Sequence, residues 1–141
     1  MQPRIDVITL AVGDLERALE FYRRLGLESE GVIGTQYVDD ETAAGGAAVM
    51  FPLANGLTLA LYGREDLAKD AGISVGTPVS GEFSIGHIVS SKAEVDELLA
   101  RAEAAGATLI GKRGERPWPI YSGYFRDLDG HLWEVICRVR G

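Results

Sequence analysis

Hydrophobic and polar positions follow the same order twice along this chain, first with a strand period and then with a helix period. In the first half, Ile5 to Val12 is a β-branched run typical of a buried strand, and Asp14 can cap a following helix. That helix has apolar positions at helical spacing, namely Leu15, Ala18, Leu19, Tyr22 and Leu25. Gly26 is expected to end it. Three short strands should follow, near residues 27–33, 47–53 and 57–62, and Asn55-Gly56 is typical of a hairpin turn.

The second half repeats this order. Phe83 to Val89 is the predicted first strand, and Ser91 with Glu94 forms a capping box before the next helix. The apolar stripe of this helix consists of Val95, Leu98, Leu99, Ala102 and Ala105. Gly106 should end it, and strands are expected near residues 108, 122–126 and 131–138. Each half therefore predicts a β-α-β-β-β module.

Two such modules predict an α+β fold, because a single module would leave one face of its sheet bare. We expect them to form one curved, partly open mixed sheet with the helices outside. The chain is interpreted as one domain, residues 1–141, with module one at 4–62, a linker at 63–82 and module two at 83–139. A short helix is expected within the linker, at Arg64 to Ala71.

Composition narrows the classes of protein that fit this pattern. A chain of 141 residues that is 46% hydrophobic can bury one core. The single cysteine, Cys137, excludes an internal disulfide and a cysteine-based zinc site, and we expect it in the core. A net charge of −7 with dispersed basic residues disfavours nucleic-acid binding. No apolar run approaches the ~18 residues of a membrane span, and the N-terminal residues lack a signal-peptide profile, so we expect a cytoplasmic protein.

One segment near the end of the chain has a weaker copy in the first half. In residues 124–135 and in residues 51–61, a Phe is followed five residues later by a Gly and then by an alternating strand. In this alignment Glu134 of the second copy corresponds to Ala60 of the first. The repeat supports two related modules, and the mismatch bears on their chemistry.

The residue pattern resembles a known superfamily. The first helix, Val-Gly-Asp-Leu-Glu-Arg-Ala-Leu-Glu-Phe-Tyr, and the ending Tyr-Phe-Arg-Asp-Leu-Asp-Gly-His-Leu-Trp-Glu-Val are similar to those of the vicinal oxygen chelate superfamily. This group includes glyoxalase I, extradiol dioxygenases and bleomycin-resistance proteins. The resemblance covers nearly the whole chain and implies the two-module fold. It leaves the activity open, because the superfamily contains metalloenzymes and metal-free binding proteins.

The resemblance also implies positions for metal ligands, which come from the first and last strand of each module and face the concave side of the sheet. Strand alternation places Glu134 on that side, and His87, seven residues before Glu94, matches the second ligand position of its module. The matching positions of module one hold Val7 and Ala60, which have no lone pair to donate. Because two ligands leave an ion mostly to water, we expect no cofactor, with Zn, Ni, Fe or Mn as the alternative.

Without a metal, His87 and Glu134 are expected to hydrogen-bond to each other. Glu134 would then raise the pKa of His87 and make it an acid/base catalyst, or the pair would only hold two strands together. The other histidine, His131, is expected to be an exposed turn residue beside Asp129-Gly130.

Ligand contacts are predicted from both modules. Thr9 and Thr58 should line the cleft of the sheet, and Tyr62 and Tyr124 should approach from its rim. The loop at residues 111–123 is the main candidate segment, since Arg113 and Arg116 can pair with an anion, and Trp118 and Tyr121 can stack on a flat ring. The alternative is a solvated loop whose Trp packs back onto the sheet. The expected ligand is a small, partly apolar organic molecule.

Two classes of function remain open at this point. One is a glyoxalase- or dioxygenase-type lyase or oxidoreductase with His87 and Glu134 at its centre. The other is a non-catalytic, ligand-sequestering protein of the bleomycin-resistance type. The resemblance also implies a homodimer. If like modules paired across a dimer, two His87–Glu134 sets would come together and complete a four-ligand metal site.

Overall fold

The computed structural model describes residues 1–117 and 119–139, and the order of elements is the predicted one. The first module contains β1 (Val7–Val12), α1 (Leu15–Arg24), β2 (Val32–Ile33), β3 (Ala48–Pro52) and β4 (Thr58–Gly63). A short helix with the predicted bounds follows, α2 (Arg64–Ala71). The second module contains β5 (Ile85–Ile88), α3 (Lys92–Ala104), β6 (Thr108–Glu115), β7 (Ile120–Arg126) and β8 (Leu132–Arg138). Among the described residues, no helix is long and apolar enough to cross a membrane.

Capping residues start both long helices where the sequence predicts. The Asp14 carboxylate accepts a hydrogen bond from the Arg17 backbone N–H at 3.1 Å, and Ser91 Oγ accepts one from the Glu94 N–H at 3.1 Å. The Glu94 carboxylate in turn accepts from the N–H of Ser90, the residue before the N-cap, at 2.6 Å, which is a variant of the predicted capping box. Each helix is followed by a glycine with positive φ, 106° and 113°, a conformation that favours glycine.

Each module forms one four-stranded mixed sheet. The strand orders are β1-β4-β3-β2 and β5-β8-β7-β6. In each sheet the first and last strands of the module run parallel, and the other neighbours are antiparallel. The chain divides into two compact units, Met1–Thr77 and Pro78–Gly141, and this boundary falls within the predicted linker. The α+β class and the two β-α-β-β-β modules are therefore confirmed.

One face of each sheet is covered by a helix. α1 packs on the first sheet through Tyr22, whose ring centroid lies 5.9 Å from that of Phe51. α3 packs closely on the second sheet, since a Cβ built on Gly123 would lie 2.5 Å from Leu99 Cδ1. The cores on these two faces are fully buried. We call the opposite face of each sheet, away from α1 or α3, its front face.

The predicted loop at residues 111–123 is mostly strand. β6 extends to Glu115 and β7 begins at Ile120, so the connection between them is short. This corrects the expectation of a free loop, because side chains of a strand alternate between fixed faces. Trp118 lies in this connection but outside the described residues.

Candidate functional site

Glu134 lies on the front face of the second sheet, as strand alternation predicts. Its neighbours Val135 and Cys137 are buried on the α3 side, whereas Glu134 is half-buried. The register pairs Glu134 with Tyr124 of β7 and with Gly86 of β5. Directly paired residues share a face of the sheet, so these three positions form one row across it.

A buried hydroxyl connects Glu134 to Arg116. Ser122 Oγ donates to Glu134 Oε2 at 2.8 Å, and Arg116 Nε donates to Ser122 Oγ at 3.0 Å. The Arg116 Nη2 also donates to the backbone carbonyls of Ser122 and Lys112, at 3.2 and 3.0 Å. Because Ser122 is fully buried, this hydroxyl has no access to water and must find its partners within the protein. The arrangement holds a carboxylate and a guanidinium at fixed positions.

Tyr124 adds a phenol to this group. The Arg116 guanidinium carbon lies 5.7 Å from the centroid of the Tyr124 ring, within the range of a cation–π contact. Burial raises the pKa of Tyr124, and the charge of Glu134 and a side-chain hydrogen bond with it raise the pKa further, while Arg116 opposes this. Tyr124 therefore keeps its proton at neutral pH. Arg116, Tyr124 and Glu134 are all partly exposed, so a ligand can reach them.

His87 does not share a face with Glu134, and this expectation is wrong. The register pairs Glu134 with Gly86 and His87 with Val135, so the side chains of His87 and Glu134 leave opposite faces of the sheet. The predicted hydrogen-bonded pair, and with it the acid/base pair, is not formed within this module. His87 is exposed on the edge strand β5.

The error has a simple physical origin in the spacing. In the first module the predicted ligand position is Val7, seven residues before the N-cap Asp14. In the second module His87 lies seven residues before Glu94, but the N-cap of the helix is Ser91. Counting from Ser91 leads to Ser84 instead. The difference of three residues is odd, and an odd shift along a strand moves a side chain to the other face.

A divalent metal does not fit the side chains at these positions. Among residues 1–117 and 119–139, no cluster of three or more His, Cys, Asp or Glu side chains could hold an ion. Val7 and Ala60 are aliphatic, and one oxygen of the Glu134 carboxylate already accepts the hydrogen bond from Ser122. Structural and catalytic metal sites need about three or four protein ligands, and this donor set is smaller.

Tyr121 and Arg113 contact α3 instead of the front face. The Tyr121 hydroxyl donates to Asp96 Oδ1 at 2.8 Å, and Arg113 Nη1 donates to the same oxygen at 3.0 Å. The hydrogen bond from Tyr121, and then that from Arg113, lower the pKa of Asp96. Tyr121 is paired in register with the buried Cys137, which places it on the helix side. The structure thus gives both residues a role in holding α3 on the sheet, and of the two predicted arginines, Arg113 and Arg116, it is Arg116 that lies on the front face.

The candidates of the first module occupy the front face of the first sheet. Thr9 is paired in register with Ala60, and Thr58 lies two residues before Ala60 on the same strand. Tyr62 shares this face, but its hydroxyl donates to the backbone carbonyl of Gly45 in the loop before β3. Burial raises the pKa of Tyr62, and nearby aspartates raise it further. Their part in ligand binding stays a prediction.

His131 is buried, which corrects the expectation of an exposed turn residue. Only 9% of the surface of this residue is exposed, and its Nδ1 lies 2.5 Å from Ser80 Oγ. The backbone of Ser80 is also held, since its N–H donates to the Gly130 carbonyl and its carbonyl accepts from Arg126 Nη1 at 3.1 Å. The partner is distant in sequence and lies in the predicted linker, so local patterns around His131 gave no signal for it.

Comparison with known families agrees with this two-module structure. The family model described as the Glyoxalase/Bleomycin resistance protein/Dioxygenase superfamily matches residues 4–135. The chain belongs to this superfamily, which confirms the resemblance noted from the sequence. No curated protein matches the chain.

Several solved structures share the fold. A glyoxalase-related enzyme from Fulvimarina pelagi is 29% identical, with a TM-score of 0.77 over 96% of this chain and 88% of that chain. A genomically encoded fosfomycin resistance protein from Listeria monocytogenes is 22% identical, with a TM-score of 0.67 over 97% of this chain and 94% of that one. A glyoxalase/bleomycin resistance protein/dioxygenase family enzyme from Burkholderia phytofirmans is 18% identical, with a TM-score of 0.73 over 94% and 97%. The latter two show similarity of fold alone.

Proposed function

We propose that this protein binds a small, partly apolar organic molecule at the front face of its second sheet and needs no metal ion to do so. The observation that carries the proposal is the hydrogen-bonded group of Glu134, Ser122, Arg116 and Tyr124. It offers a carboxylate, a guanidinium and a phenol that are held in place by their neighbours. A few fixed polar groups are typical of small-molecule sites.

Apolar side chains surround this polar group on the same face. Ile110 is paired in register with Tyr124, and Ile136 with Ser122. Leu132 lies two residues before Glu134 on the same strand. All three are half-buried, so they offer apolar surface to a ligand without being sealed in the core. A ligand with a flat apolar body and one hydrogen-bonding end matches this combination.

Within the superfamily we favour the binding, resistance-type role over catalysis. The acid/base pair that the sequence predicts needs His87 and Glu134 on one face of the sheet, and within this module they lie on opposite faces. The negative charge of Glu134 is instead linked to Arg116 through Ser122, an arrangement suited to holding a ligand's polar end. A cytoplasmic homodimer that binds no nucleic acid completes the proposal, and analytical ultracentrifugation tests the dimer.

The site is tested by two tyrosine variants on one strand. Fragments that bind the wild type are first identified by saturation-transfer NMR. Tyr124→Phe and Glu134→Gln should each weaken binding of the best fragments by about tenfold, because each variant removes one hydrogen bond between the protein and the fragment. Tyr121→Phe is the matched control, because it removes the same hydroxyl from the helix side of β7. Fragments whose affinity is lowered equally by both tyrosine variants would contradict the proposal.

Metal content separates this proposal from a metal-dependent lyase or dioxygenase. The protein is incubated with Zn, Ni, Fe(II) or Mn, desalted and analysed by mass spectrometry beside Glu134→Ala. We expect no retained metal in either protein. One metal per chain that is lost in the variant would overturn the metal-free proposal, and one metal per two chains would show a site completed across a dimer.

A further inference from the structure

In the first module, a cavity opens between the segment after α1 and the front face of β3. Its volume is about 530 Å³, within the usual size of small-molecule sites. One side is lined by Ile33, Met50 and Pro52, and the other by residues 28–31. The sequence pattern predicts a strand near residues 27–33, whereas the structure has a strand only at Val32–Ile33, so the pattern gives no sign of this cavity.

The floor of the cavity is apolar and open to solvent. Along β3, Val49 and Phe51 point toward α1 and are fully buried, so Met50 and Pro52 point to the front face. Ile33 is 46% exposed and Met50 is 40% exposed, although both are large apolar side chains. Apolar surface that stays exposed within a cavity is typical of a ligand site.

The wall of the cavity is acidic. Glu28 and Glu30 are exposed, and among the described residues neither carboxylate forms an ion pair or a side-chain hydrogen bond. The backbone between them is fixed, since Arg23 Nη2 donates to the Ser29 carbonyl at 2.8 Å and the Gly31 N–H donates to Ser29 Oγ at 3.1 Å. Arg23 brings one positive charge against two negative ones, so the wall stays net negative.

The charge of the whole module acts in the same direction. Residues 1–77 contain twelve acidic and six basic residues, whereas residues 78–141 contain nine acidic and eight basic ones. Most of the protein's net charge of −7 therefore belongs to the first module. Summed charge of one sign raises the local concentration of ligands of the opposite sign.

We propose that this cavity binds a small amphipathic organic cation, such as a quaternary or protonated amine joined to an aromatic or branched apolar group. The apolar body packs on Ile33 and Met50, and the cationic head stays at the solvent-exposed carboxylates of Glu28 and Glu30, which avoids the cost of burying a charge. An anion of the same size is repelled by the wall. The proposal does not depend on the function proposed for the second sheet.

The methionine content of the chain makes the test direct. The chain has two methionines, Met50 in the floor of the cavity and Met1 at the N-terminus. Isotope labelling of methionine methyl groups gives one NMR signal from each, and Met50→Leu identifies the signal of Met50. Titration with benzyltrimethylammonium should shift the Met50 signal in a saturable manner and leave the Met1 signal unchanged, and benzenesulfonate should shift neither.

Paired charge variants test the role of the wall. Glu28→Gln with Glu30→Gln should weaken binding of the cation by about fivefold, and added salt should weaken it in the wild type. The matched control, Asp40→Asn with Glu41→Gln, removes the same charge from an exposed loop of the same module and should change affinity by less than about twofold. The amide spectra show whether each variant is folded. A Met50 signal that does not move, equal binding of both salts, or equal weakening by both variant pairs would overturn the proposal.

Discussion

The two modules share one backbone plan and differ in the chemistry of their front faces. Ala60 in the first sheet is paired with Met50, and Glu134 in the second is paired with Tyr124. The helix sides are alike, since the corresponding Phe51 and Phe125 are both buried. The comparison teaches that the repeat keeps what the core requires, while the front faces are free to carry either apolar surface or a polar network.

The largest effects should come from the parts that the modules share. Phe51→Ala and Phe125→Ala should each lower the free energy of unfolding by about 3–5 kcal/mol, because each leaves a cavity in a fully packed core. Urea unfolding, followed by fluorescence and circular dichroism, measures both losses. If one variant lost several-fold less free energy of unfolding than the other, the two cores would not be equivalent.

A smaller effect should come from the polar network that only the second module has. Glu134→Ala should cost about 1–3 kcal/mol of unfolding free energy, because the buried Ser122 hydroxyl loses its acceptor. Glu134→Gln should cost less, since the amide oxygen still accepts from Ser122. Equal losses in the two variants, measured by the same urea experiment, would show that the hydrogen bond contributes little.

The smallest effect concerns the pH dependence of stability. The pKa of Tyr124 in the folded protein is raised above its ordinary value of 10.0, first by burial and then by Glu134. Tyr124 therefore holds its proton more tightly in the folded protein than in the unfolded chain, and this difference adds to the free energy of unfolding. The added stability is complete below pH 10 and is lost as the pH rises through the pKa of Tyr124 in the folded protein. Urea unfolding of Tyr124→Phe at alkaline pH should show a shallower decline than the wild type. An unchanged slope would mean that Tyr124 is not coupled to the network.

Much of the fold could be predicted because its signals are local. Asp14 and Ser91 start the helices as the capping pattern indicates, and α2 has the predicted bounds. The face of Glu134 followed from the alternation of large apolar residues around it. These features depend on neighbours within a few residues, which periodicity and capping preferences describe well.

The parts that could not be predicted depend on pairings between distant segments. The face of His87 is set by its register with β8, and counting from Glu94 could not reveal that register. The sequence predicts a loop for Tyr121 and Arg113, because the residue pattern around them does not show that β6 and β7 extend through these positions. The burial of His131 depends on Ser80, fifty-one residues earlier in the chain. Contacts of this kind leave no periodic trace in one sequence.

The glycine opposite Glu134 has a consequence for how easily this scaffold changes its chemistry. A Cβ built at Gly86 meets only Ile136 Cδ1 among the described residues, at 3.5 Å, an ordinary van der Waals contact. A side chain at this position would project from the same face as the Glu134 carboxylate. Gly86→His would therefore place an imidazole beside that carboxylate without disturbing the core. For evolution or design, a single substitution in the second module would therefore create a His and a Glu that face each other, which are two of the ligands that a transition-metal site needs.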